Sequence, residues 1–123
     1  MSKRTIYSAK LQEFRKGVTA TRAELSKQFR SNYVATREVE FIPMDASGRV
    51  GEPTYAGLSN LTAAFVESEV RSLLDDYPQA TGVGVEVGFD VYESFGQYMQ
   101  NLRNGAGFDY EPRVDHYSVD VPR

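Results

Sequence analysis

From Thr5 to Arg30, apolar side chains return at helical spacing. Tyr7, Leu11, Phe14, Val18, Thr21 and Leu25 are separated alternately by four and three residues, and Phe29 continues the line. This a/d-like seam, held for about three heptads, predicts a long amphipathic helix. Glu13 lies three residues before Lys16 and Glu24 three before Lys27, pairs that support a helix. Gly17 interrupts its middle at a cost of about 1 kcal/mol against alanine, which points to a kink or a close contact there.

Residues 33–56 read as a β-hairpin. The first strand, Tyr33 to Met44, is expected to place Tyr33, Ala35, Val39 and Phe41 on one face and Thr36, Glu38 and Glu40 on the other. Asp45-Ala46-Ser47-Gly48 is a turn, with Asp first and Gly where positive φ is tolerated. Arg49 to Tyr55 returns as an edge strand weakened by Gly51 and Pro53, residues that also blunt the edge against stray pairing.

A second helix is expected over 59–77, capped by Ser59 or Asn60. Leu61, Phe65, Val66, Val70, Leu73, Leu74 and Tyr77 form its apolar face, and Pro78 closes it. Asp75 and Asp76 oppose the macrodipole at its end. That misfit is read as a solvated terminus, with an arginine- or cation-binding spot as the alternative.

Val83, Val85, Val87, Phe89 and Val91 alternate without a break, the period-two signature of a strand over 82–91. Gly84, Glu86, Gly88 and Asp90 form its other face. A third helix follows over 92–104, with Asp90 and Glu93 at capping-box spacing, Phe95, Tyr98, Met99 and Leu102 on one face, and Asn104-Gly105 as C-cap. Residues 105–112 read as loop, and Val114 to Val121 as the last strand, with Tyr117, Val119 and Val121 on one side. The fold class is α+β: a single domain over 1–123 in which a long N-terminal helix, a hairpin and helix-strand-helix-strand build one mixed or antiparallel sheet of about four strands.

Twenty-six helical residues span about 39 Å, whereas a compact domain of 123 residues is about 35 Å across. The first helix therefore crosses the whole domain, bending at Gly17, or projects from it, and a projecting seam needs a neighbour to cover it.

Charge sharpens that expectation. Residues 1–40 hold nine Lys/Arg against four acids, and residues 41–123 hold five Arg against thirteen acids, within a net charge of −3. A basic front and an acidic back point to an anionic partner or, preferred here, to docking of the basic segment on acidic surface of its own chain or of a neighbouring copy. Duplex binders are usually basic overall, and this chain is acidic.

Composition removes much chemistry. There is no cysteine and only one histidine, so thiolate nucleophiles, disulfides and histidine-rich metal sites are excluded within one chain, and a reducing, cytoplasmic setting fits. No apolar run reaches membrane-spanning length, and the start Met1-Ser2-Lys3-Arg4-Thr5 lacks the pattern of a secretory signal. The stretch Gly82 to Gly88 superficially looks like a dinucleotide loop, but its glycines lie inside a strand, where no helix N-terminus faces an anion. His116 and Asp120 share a strand face about 13 Å apart, too far for a direct pair. Asp75 and Glu86 are the carboxylates a fold would have to converge for metal-assisted hydrolysis; alternating acids otherwise read as the wet face of a strand. No catalytic residue, metal site or cofactor is assigned.

The leading expectation is a non-enzymatic interaction or assembly subunit, binding itself and another protein. Its interface would be the helix seam (Tyr7, Leu11, Phe14, Val18, Leu25) with Phe108, Tyr110 and Arg113 of the tyrosine-rich C-terminal loop, since Tyr and Arg combine area with polar handles. A second class is nucleic-acid binding through Lys10, Arg15, Lys16, Arg22, Lys27 and Arg30. A third is a small-ligand pocket over Gly84 and Gly88, with Arg49, Glu86, Asp90 and Tyr92 orienting the ligand.

Overall fold

The computed structural model describes residues 3–28, 33–103 and 113–123, with side chains for 6–28, 33–103 and 114–123. The elements run α1 (Lys3–Gln28), β1 (Tyr33–Asp45), β2 (Gly48–Arg49), β3 (Thr54–Ala56), a 3-10 turn (Leu58–Asn60), α2 (Ala63–Asp76), β4 (Gly82–Tyr92), α3 (Phe95–Arg103) and β5 (Arg113–Pro122). One antiparallel sheet has the order β2-β1-β4-β5, with β3 also on β1 beside β2. The fold is α+β, as the element pattern predicts.

The odd residues of β4, Val83 to Val91, project to one side of the sheet, and α1 and α2 cover them. The α1 seam closes this core from above: Phe14 is 1% exposed and Leu25 2%, with Tyr7, Leu11 and Val18 also buried. The helix runs along β5, with Tyr7 beside Val121 and Phe14 beside Tyr117, and reaches β1 where Arg22 donates to Thr36 Oγ1. The expectation that a neighbour must cover the seam is therefore corrected. Eleven residues of β4 span about 36 Å, so a 26-residue helix finds a sheet of its own length and needs no partner to hide its apolar side.

Gly17 makes the close contact that its position foretells. The Tyr117 ring lies where a Cβ would sit, 1.8 Å from that position at Cζ. The ring also packs on Phe14 at 6.0 Å, and its hydroxyl donates to the Glu13 carbonyl.

In the hairpin turn, Asp45 Oδ1 accepts from the Ser47 amide and hydroxyl, both at 2.7 Å. These bonds hold its carboxyl below the usual aspartate range. Gly48 takes φ +127°, the region the turn reserves for glycine. The return is two short strands rather than one, because residues 50–53 leave the ladder.

A bulge between Thr36 and Val39 inserts one extra residue opposite Gly88. It switches the faces of β1, so Val34 and Thr36 join Val39 and Phe41 on the core side, and Tyr33 and Ala35 turn to the opposite side. The expected face assignment of the strand is wrong before the bulge and right after it.

Two caps also differ from expectation. Thr62, not Ser59 or Asn60, caps α2, its hydroxyl accepting from the Phe65 amide at 3.1 Å. Helix α3 starts at Phe95, where Ser94 Oγ accepts from the Gln97 amide and Gln97 Oε1 accepts from the Glu93 amide. Asp90 is instead a strand residue.

At the far end of α2, the guanidinium of Arg123 donates to the carbonyls of Leu74, Tyr77, Pro78 and Ala80. Asp75 and Asp76 are exposed there, as the solvated-terminus reading expects, while the carbonyls of the same end bind an arginine of the chain itself.

Candidate functional site

The even residues of β4 face away from the core, and this outer side of the sheet is where polar chemistry collects. Reading across β1, β4 and β5, the rows are Ile42, Gly84 and Asp120; Glu40, Glu86 and Ser118; the bulge, Gly88 and His116; Ala35, Asp90 and Val114. Tyr55 of β3 stands beside Glu40.

Gly88 leaves room for a side chain of the same molecule. Arg37, at the bulge, lays its stem across Gly88, its Cδ 3.1 Å from where a Cβ would be, with the His116 ring on the same spot at 3.6 Å. Its guanidinium then grips Asp90 by both oxygens, with Nε to Oδ2 at 2.9 Å and Nη2 to Oδ1 at 2.7 Å. This bidentate bond, reinforced by the Asp90 charge, raises the already high pKa of Arg37.

Helix α3 lies over one end of this face. Tyr98 packs on Tyr33 at 4.4 Å and on Tyr92 at 5.4 Å, and Phe95 meets Tyr33 edge-on at 5.0 Å. The flank of α3 next to Tyr98 is apolar as well. Phe95, Met99 and Leu102 recur at i, i+4 and i+7 and face solvent, Phe95 at 55% exposure and Leu102 at 59%. Val114, also exposed, adds to the apolar area of the outer side. The four side chains share one broad face of this helix, as expected, but only its Tyr98 flank packs on the sheet, and Phe95, Met99 and Leu102 remain largely exposed.

The predicted ligand set does not converge. Arg49 is opposite Met44, at the level of Gly82. Asp90 lies about 26 Å farther along β4 and Tyr92 about 33 Å. Arg49 is bound to the Gly51 carbonyl and to Glu52, Asp90 to Arg37, and Tyr92 to the aromatic cluster. Above Gly84 lie Asp120 and Met44. Arg37 covers Gly88, and Asp120 and Met44 flank Gly84, so the predicted residues do not share one pocket over the two glycines. Asp75 is on α2 and Glu86 on the outer side, so the sheet separates those two carboxylates. Among the described residues no three metal-ligating side chains converge.

The basic set is divided. Arg15 donates to the Leu61 carbonyl and Arg22 to Thr36, both on the flank of α1 that faces the rest of the domain. Lys10 pairs with Glu13 at 3.7 Å. Lys16 and Lys27 are exposed. Arg30, Phe108 and Tyr110 lie outside the described residues, and Arg113 opens β5 opposite Val91. The α3 stripe was visible as periodicity, but nothing local told which of its apolar side chains would stay outside. No helix among the described residues is long and apolar enough to cross a membrane. Comparison of the chain with family models, curated proteins and solved structures finds no match.

Proposed function

We propose that this chain is a non-enzymatic interaction module, an assembly subunit that docks another protein through the outer side of its sheet and the solvent side of α3. The observation that carries this reading is the exposed stripe Phe95, Met99 and Leu102 beside a sheet surface rich in carboxylates. Covering three half-exposed apolar side chains is favourable by about 1 kcal/mol apiece, enough for a hot spot at the centre of a modest interface. Glu40, Glu86 and Asp120, farther along the same side of the sheet, favour a partner that carries lysine or arginine beyond its apolar ridge. The α1 seam has no share in this surface because the core has taken it.

The test compares the wild type with Phe95→Ser/Leu102→Ser. The set of proteins retained from the host lysate is measured for both, with thermal unfolding as the control. The reading expects the variant to lose a specific retained partner while unfolding within a few degrees of the wild type. Identical retained sets refute it.

A further inference from the structure

The two margins of the sheet are built differently. On the β1 side the margin is broken into β2 and β3, with Gly51 and Pro53 between them. On the other side β5 runs ten residues in unbroken register against β4. Among the described residues nothing pairs with its outer margin.

The hydrogen-bonding direction along β5 follows from three observations. The Arg123 amide donates to the Thr81 carbonyl in line with the β4–β5 register. The odd residues of β5 therefore address β4, and the even ones, Val114, His116, Ser118 and Asp120, point their N–H and C=O outward. Pro122, which has no N–H, occupies the next outward position. Pro43 tells the same story on β1: it faces away from β4, and its carbonyl accepts from the Val50 amide. The outward N–H of His116 is met by the carboxylate of its neighbour Asp115 at 2.8 Å, a local bond that a pairing strand would replace.

We infer that the β5 margin is the site at which a second copy of this chain adds, antiparallel and about a two-fold axis through Ser118, to make one continuous sheet across both copies. The inference goes beyond the docking role of α3 and does not rest on it. An isologous margin must be complementary to itself, and this register is. It sets His116 opposite Asp120 of the second copy, twice by symmetry, and Val114 opposite Pro122. On the core side it sets Tyr117, half-buried in one copy, opposite Val119 of the other, an aromatic and β-branched cross-strand pair. About six backbone hydrogen bonds join the copies. A register centred on Tyr117 would place Asp120 opposite Val114 and leave His116 without a carboxylate. Of the devices that blunt a margin, β5 has no lysine and no register shift, its one proline stands at its end, and its charges are Arg113, Asp115 and Asp120, of which Asp120 takes part in the pairing.

The experiment is light-scattering mass from about 1 to about 100 µM on the wild type, Ser118→Pro, Ser118→Lys, Asp120→His, His116→Asp and the double swap. Among the described residues the Ser118 amide has no partner within one copy, so proline there leaves the β4 ladder intact. Lysine at 118 sets like charges together on the axis. The expected result is a wild-type mass of twice 13.8 kDa. Both Ser118 variants and both single swaps should weaken the dimer at least about tenfold with unchanged circular dichroism, and the double swap should restore it. Phe95→Ser/Leu102→Ser should leave the dimer intact, which separates this margin from the α3 surface. A wild type of 13.8 kDa throughout, a Ser118→Lys dimer as tight as wild type, or a double swap that fails to recover would overturn the inference.

Discussion

Replacing Gly17 by alanine tests how the long helix is seated. In a solvent-exposed helix this change stabilises by about 1 kcal/mol, because glycine is the costlier residue in a helix interior. Here the new Cβ would fall inside the phenol of Tyr117, 1.8 Å from Cζ, 2.1 Å from Cε1 and 2.2 Å from Oη. The ring must swing away, surrendering its contact with Phe14 and its bond to the Glu13 carbonyl. Crowding of this kind costs about 1–3 kcal/mol, so Gly17→Ala should destabilise the wild type by about 1 kcal/mol net. In a Tyr117→Ala background the ring is gone, and the same substitution should stabilise by about 1 kcal/mol. The sign change is the signature. Urea unfolding of the four proteins at one fixed concentration gives the double-mutant cycle, with a coupling of about 2 kcal/mol expected. Equal effects of Gly17→Ala in both backgrounds would mean that the phenol does not sit on this glycine, and the packing of α1 on β5 would need rebuilding.

Two further outcomes follow from single contacts. Arg123→Ala leaves the last carbonyls of α2 without the guanidinium and should lower stability by about 1–2 kcal/mol, with faster amide exchange in the final turn of α2; exchange rates unchanged from wild type would rule out a capping role. The Asp45 carboxyl, lowered first by the Ser47 hydroxyl and then by the Ser47 amide, favours the folded state above the ordinary aspartate pKa and loses that contribution as pH falls through its depressed value. Its NMR titration midpoint should lie below that of an ordinary aspartate and rise toward it in Ser47→Ala; a midpoint indifferent to that substitution contradicts the turn geometry.

Much of the fold was legible because it rests on local periods. The seam of α1 and the alternation of β4 each mark the core side of an element, and Asp45 to Gly48 carries its turn chemistry in its own residues. The misreadings came from non-local or phase-breaking features. Arg37 and Glu38 form a bulge, so alternation slips by one between Thr36 and Val39; the slip is visible in the string of residues but reads as noise without the partner strand. Ser59 and Asn60 were the expected caps, but they belong to the 3-10 turn Leu58–Asn60, and α2 starts later, capped by Thr62. The length argument for a projecting helix measured α1 against a sphere, while the body it lies on is a sheet as long as the helix itself. Gly88 suggested a vacancy, yet the side chain that fills it comes from a residue 51 positions earlier, and Arg123 reaches its carbonyls across a similar gap in sequence.

The charge asymmetry along the chain becomes a sidedness in the fold, and this bears on how copies can meet. Lys10, Lys16 and Lys27 belong to the helix layer, which also carries Glu67, Glu69, Asp75 and Asp76 on α2, whereas Glu40, Glu86, Asp90 and Asp120 lie on the outer side of the sheet, with Arg37 already committed to Asp90. Two outer sides brought together would set carboxylate against carboxylate, so stacking of copies through that face is disfavoured. Joining at β5 avoids the conflict, since a two-fold axis perpendicular to the sheet leaves both outer sides pointing the same way. The pair then presents one wide acidic surface with an exposed α3 stripe toward each end. A partner that carries two apolar ridges with basic residues beyond them would meet the second stripe at a raised effective concentration, so a weak contact at each α3 would add up to a firm one. The same sidedness turns the acidic surface away from the exposed lysines of α1. Phosphate would therefore have to approach the helix layer, where two of the arginines are already tied to Leu61 and Thr36.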